Sequence, residues 1–125
     1  VLRRLIIIAL VLAVIGVVIH DLSTFASAQR DLGDATYDLA TWAARNTDGL
    51  SRDKAAAKVA AEGTRHGVTV YLYDQSDRSV EVWTRSYVDG TFVAGPVVNL
   101  VRGMPFSEAL SEPFEITDYQ EAGAI

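Results

Sequence analysis

The sequence predicts an α+β chain: an N-terminal transmembrane helix continuing into an amphipathic stalk, a second short helix, and a small antiparallel sheet of three or four strands. Three observations carry this. Leu5 to Ile19 is an unbroken apolar run, the residues after it repeat their apolar positions with a helical period, and from Val68 the period drops to two. The chain divides accordingly into residues 1–20, a membrane anchor; 21–47, a helical stalk; and 51–125, a small α+β domain. Its 125 residues leave room for one modest core after the anchor.

The run LIIIALVLAVIGVVI holds fifteen residues without a polar side chain, twelve of them Leu, Ile or Val. At about −0.3 to −0.6 kcal/mol for each at mid-bilayer, these favour insertion by roughly 4 to 7 kcal/mol. As a helix the run spans about 22 Å of a hydrocarbon core about 30 Å thick, so its ends must contribute. Arg3 and Arg4 can snorkel on one side, and Leu22 and Phe25 continue the apolar surface beyond His20 and Asp21 on the other. The same arginines set the topology, with the N-terminus cytoplasmic and the rest extracytoplasmic. A cleavable signal peptide is the alternative, since a basic start, an apolar stretch and Ala26-Ser27-Ala28 form its three-part pattern.

After Ile19 the chain carries 9 basic and 16 acidic residues, a balance of −7 that repels nucleic acid and anionic headgroups. There is no cysteine, which removes disulfides, thiolate catalysis and cysteine-based metal sites.

From His20 to Asn46 no proline intervenes, and Leu22, Phe25, Leu32, Leu39 and Ala43 recur at spacings of three, four or seven, an apolar stripe on one helix face. Asp31, Asp34 and Asp38 form a solvated face, with Arg30 placed to pair with Asp34. Gly33 marks a bend or a close packing site. Asn46-Thr47-Asp48-Gly49 stops the helix, Ser51 caps the next, and the alanine-rich segment ends near Gly67, its small face of Ala55, Ala56, Val59 and Ala60 suited to close packing.

Residues 68–73 and 80–85 alternate as strands around a polar turn. Asp89-Gly90 then reads as a type I′ hairpin leading into a third strand at Thr91-Phe92-Val93, which Pro96 interrupts or confines to an edge. Residues 106–111 read as a helical turn after Pro105, and Phe114 to Thr117 as a last strand.

No constellation for catalysis stands out. His20 and His66 are 46 residues apart and outside any metal-binding spacing; His66 suits a helix C-terminus and His20 the membrane interface. No carboxylate pair is enclosed in apolar sequence, and no nucleophile elbow, phosphate-cradling glycine loop or calcium loop is present. The reading is a non-enzyme without cofactor or metal. Tyr71, Trp83 and Tyr87 in the strands offer a candidate contact surface, or an apolar pocket if they converge, though such residues more often pack across strands.

The stretch AQRDLGDATYDLATWAARN resembles the TadE/TadG-like minor pseudopilins of tight-adherence (Flp) pilus systems. In that family an apolar segment leads into a helix with an AQ-x-x-L-x-x-A-x-x-x-A-x-x-A-A pattern, matched approximately here by Ala28, Gln29, Leu32, Ala35, Leu39, Ala43 and Ala44, followed by an alternating region like VTVYLYD. The resemblance implies a single-pass protein of a bacterial cell membrane that works by helix packing, its partners being membrane lipid and other subunits met through Leu22, Phe25, Leu32, Leu39 and Ala43. The family's usual glutamate near the start of the apolar segment has no counterpart here, which implies an unprocessed, membrane-resident accessory subunit. An accessory subunit of another membrane complex and a small anchored or secreted ligand-binding domain are the rival readings.

Overall fold

A computed structural model describes residues 1–76 and 78–123. The elements are α1 (Leu2–Asn46), α2 (Arg52–Arg65), β1 (Thr69–Gln75), β2 (Ser79–Val88), α3 (Ala94–Val101), α4 (Phe106–Ser111) and β3 (Phe114–Gly123). The architecture is α+β with a three-stranded antiparallel sheet in the order β1-β2-β3. Two compact units form: one from Val1–Ser27 and Val88–Phe114, the other from Ala28–Tyr87 and the chain from Glu115 onward. α1 contributes to both.

In the unit that holds most of the sheet, Leu32, Thr36, Leu39, Ala40 and Ala43 form the buried stripe of α1, while Asp31, Asp34 and Asp38 face solvent. Arg30 and Asp34 make no ion pair; both stay exposed, where holding two long side chains together brings little. At the end of α1, Thr47 donates its hydroxyl to the Ala43 carbonyl at 2.6 Å, and Lys58 Nζ donates to the Asn46 carbonyl at 2.9 Å, where a helix dipole favours a cation. Ser51 caps α2, accepting from the Lys54 amide at 3.5 Å.

The close-packing glycine is Gly63 and not Gly33. A Cβ on Gly63 would lie 3.1 Å from Val70 Cγ2 and 3.3 Å from Leu39 Cδ2, whereas one on Gly33 would meet only Asp118 Oδ2, at 3.9 Å. α2 therefore approaches α1 and β1 closely because its facing residues Ala55, Val59 and Gly63 are small. On the strands Val80, Val82, Thr84, Tyr73 and Ile116 complete this core. Fully burying a side chain such as Leu39 or Val59 is worth about 1.5 to 3 kcal/mol. A polar contact at its centre is satisfied: Thr36 and Thr84 lie 2.6 Å apart through their hydroxyls, and Thr36 also donates to the Leu32 carbonyl.

The sequence expectation fails between β2 and β3. Thr91-Phe92-Val93 is not a strand, and Asp89-Gly90 does not close a hairpin, although Gly90 does take a positive φ of 80°. The chain turns into α3 because the Asp21 carboxylate claims the amides that a strand ladder would need. Pro96 falls in the first turn of α3, where a missing N–H is tolerated. α4 packs on α3 through Asn99, buried, whose Nδ2 donates to the carbonyls of Ala109 at 3.3 Å and Glu112 at 2.8 Å.

Candidate functional site: the apolar helix and its carboxylate clasp

From Leu5 to Ile19 the leucines, isoleucines and most valines of α1 are 48–62% exposed. Nothing among the described residues covers them. α1 is long and apolar enough to cross a membrane, the one such helix among the described residues. Arg3 and Arg4 precede this stretch, in the first turn of α1.

Just beyond the apolar run, chemistry of a different kind begins. The Asp21 side chain is buried and its carboxylate accepts three backbone amides: Phe92 at 2.8 Å, Val93 at 2.8 Å and Ala94 at 2.9 Å. These amides open α3, where N–H groups lack intrahelical partners and the helix dipole favours an anion. The remaining donors of the turn are also placed: Gly95 donates to Thr91 Oγ1 at 2.9 Å, Pro96 has none, and Val97 donates to the Val93 carbonyl. A side chain at Gly95 would collide with Thr91 Oγ1, 2.5 Å from the added Cβ. His20 Nε2 meets the Gly90 carbonyl at 2.7 Å, and its ring lies 4.6 Å from that of Phe92. Farther along α1, Phe25 stacks on Phe114 at 6.1 Å. The amide of Phe92 first, then those of Ala94 and Val93 and the nearby His20, hold the Asp21 carboxyl below the usual 3.8 against the opposing effect of burial.

The five stalk residues separate. Leu22 is 63% exposed and Phe25 40%, but Leu32, Leu39 and Ala43 are buried within this chain, Leu39 directly against Gly63 of α2. The last three are therefore core residues, not surfaces for a partner subunit; a period of 3.6 identifies an apolar face without saying what covers it.

Tyr71, Trp83 and Tyr87 do not converge on a pocket. β1 is irregular between Val70 and Leu72, so Tyr71 is the extra residue and Leu72 stands opposite Trp83. Trp83 instead meets Tyr119 of β3, ring centroids 4.8 Å apart, and Tyr87 remains 56% exposed. Partial desolvation, then Glu81 and Glu121 within hydrogen-bond reach, raise the Tyr119 phenol above its ordinary 10.0. Continuing the alternation of Phe114 and Ile116 through Asp118 places Tyr119 on the outer face, the signal that finds it. A separate groove of about 920 Å³ is lined by Tyr37, Arg45, Asp48, Gln75 and Glu121 among others, and by none of the three aromatics. It is open and polar. His66 caps α2 and lies 3.3 Å from Glu62.

No family model, curated protein or solved structure matches this chain.

Proposed function

We propose that this chain is a single-pass, membrane-anchored assembly subunit of the kind exemplified by the TadE-like minor pseudopilins, with Arg3 and Arg4 on the cytoplasmic side and the sheet outside. The carrying observation is the apolar surface of Leu5 to Ile19, left uncovered by a chain that buries a later stripe of the same helix. The clasp supports retention of the segment. Cleavage after Ala28 would remove the acceptor of three amides and the ring stacked on Phe114, and Ala26-Ser27-Ala28 lies inside the continuous helix. With Leu32, Leu39 and Ala43 internal, partner contacts fall to the anchor, to Leu22 and to the sheet's outer face around Leu72, Trp83 and Tyr119.

A photo-crosslinking residue installed at Ile15, Leu22 or Trp83 in native membranes identifies the neighbours. Products containing other subunits of a tight-adherence pilus system are expected. Products with subunits of a respiratory or transport complex transfer the chain to that assembly, and the absence of protein products at all three positions contradicts an assembly role.

A further inference from the structure

The segment between β2 and β3 carries an unusual surface. Phe92 is 64% exposed, Val97 49%, Val101 81%, Phe106 65% and Leu110 56%. Val97, Leu100 and Val101 share one stripe of α3, and Phe106 and Leu110 one face of α4. α3 contains no charged residue. This apolar surface is not loosely attached. The Asp21 clasp and the His20 contact bind residues 90–94 to the two positions that follow Ile19, the end of the apolar run.

We propose that the lobe of residues 89–112 is seated in the outer headgroup region of the same bilayer that α1 crosses, with Phe92, Val97, Val101, Phe106 and Leu110 against lipid. The inference rests on the reading of α1 as a membrane span. Lipid is the occupant on three grounds. The clasp and the His20–Phe92 ring contact tie the lobe to the end of the span. A fifteen-residue run is about 8 Å short of a typical hydrocarbon core, so the bilayer surface reaches the turn of His20 and Asp21 or comes close to it. At that depth polar side chains need internal partners, and both have them: three amides for Asp21, a carbonyl for His20. The lobe's charged residues are Asp89, Arg102, Glu108 and Glu112, a net −2, so its seating is hydrophobic and does not require anionic lipid.

The chain lacks cysteine, so single-cysteine variants of the full chain report depth directly. Leu12→Cys, Val97→Cys, Val101→Cys, Phe106→Cys and Ala57→Cys, each with a fluorophore, are reconstituted into phosphatidylcholine vesicles with and without phosphatidylglycerol. Quenching is then compared between iodide in the water and spin-labelled lipid at shallow or deep positions. Leu12 should lose most of its fluorescence to the deep lipid label, the three lobe positions to the shallow one, and Ala57 to iodide alone, with either lipid composition. In the Asp21→Ala background the lobe positions should move towards iodide while Leu12 stays with lipid. Lobe positions quenched by iodide as Ala57 is, with Leu12 still in lipid, overturn the lobe proposal alone; Leu12 quenched by iodide overturns the membrane reading beneath it. Lobe positions shielded from both quenchers indicate a protein occupant, and shallow quenching only with phosphatidylglycerol indicates an electrostatic one; either contradicts the proposal.

Discussion

The two units expose apolar residues of different chemistry. Around the sheet, the exposed large hydrophobics among the described residues are Tyr37, Tyr71, Tyr87 and Tyr119, with Leu72 as the one aliphatic. A tyrosine presents a hydroxyl that water can solvate, so this surface can stay wet wherever no partner subunit covers it. In the unit formed by Val1–Ser27 and Val88–Phe114 the exposed residues of this kind are Leu, Ile, Val and Phe throughout. Exposure alone therefore does not identify a membrane-facing surface. Exposure without any polar tip, on a helix end and on the lobe clasped to it, is the feature on which the proposed membrane seating rests.

Substitutions in each unit put this contrast to the test. The largest effect is expected in the wet unit's core: Leu39→Ala, at 0% exposure, should destabilise by about 2–5 kcal/mol in a denaturant titration of the detergent-solubilised chain. In the lobe, Asn99→Ala leaves the Ala109 and Glu112 carbonyls without their donor, and should cost about 1–3 kcal/mol, read by hydrogen exchange of α4. A loss of that size spreading to the amides of β1 would argue against two separate units. Within the core, Thr36→Val strands the buried Thr84 hydroxyl and should cost about 1–3 kcal/mol, whereas Thr84→Val leaves Thr36 still bonded to Leu32 and should cost less. Equal losses would mean that Thr84 has another partner. The smallest effect belongs to Val101→Ala: at 81% exposure it should change stability in detergent by less than about 0.5 kcal/mol, while weakening shallow lipid contact in vesicles.

The clasp adds a pH dependence of known sign. Because the Asp21 carboxyl is held below 3.8, its contribution is complete above the ordinary aspartate range and is lost as pH falls through the lowered value. Hydrogen exchange at the amides of Phe92, Val93 and Ala94, corrected for intrinsic rates, should show constant protection from neutral pH down to that range and fall only below it. Asp21→Asn should weaken protection from neutral pH down to that range and remove the further fall on the acid side. Protection lost already near neutrality would mean that another group controls the clasp.

Much of this was legible from residue periodicity. The apolar helix, the stop at Asn46 to Gly49, the Ser51 cap and the alternation of β2 each rest on local chemistry and take their expected form, whereas the alternation of β1 breaks at Tyr71, which leaves Leu72 exposed and Tyr73 buried. The misreadings share a cause, which is information held by residues distant in sequence. Asp89-Gly90 carries the local signature of a hairpin, but Asp21, about 70 positions earlier, takes the amides of Phe92 to Ala94 and begins a helix there. Leu32, Leu39 and Ala43 were legible as a face and not as an interior one, since what covers them lies elsewhere in the chain, as Gly63 of α2 does for Leu39. Thr36, a polar residue in the apolar stripe, is intelligible only once Thr84 is seen opposite. Asp21 itself reads as the first acidic residue after a span, and nothing local to it announces three amides.

Both the proposed function and the seating of the lobe depend on Leu5 to Ile19 being a retained membrane span. Intact-mass analysis of the native protein after alkaline carbonate extraction of membranes decides this. A chain that stays in the membrane pellet and still contains Leu5 to Ile19 is expected; a carbonate-soluble chain beginning at Gln29 would contradict it.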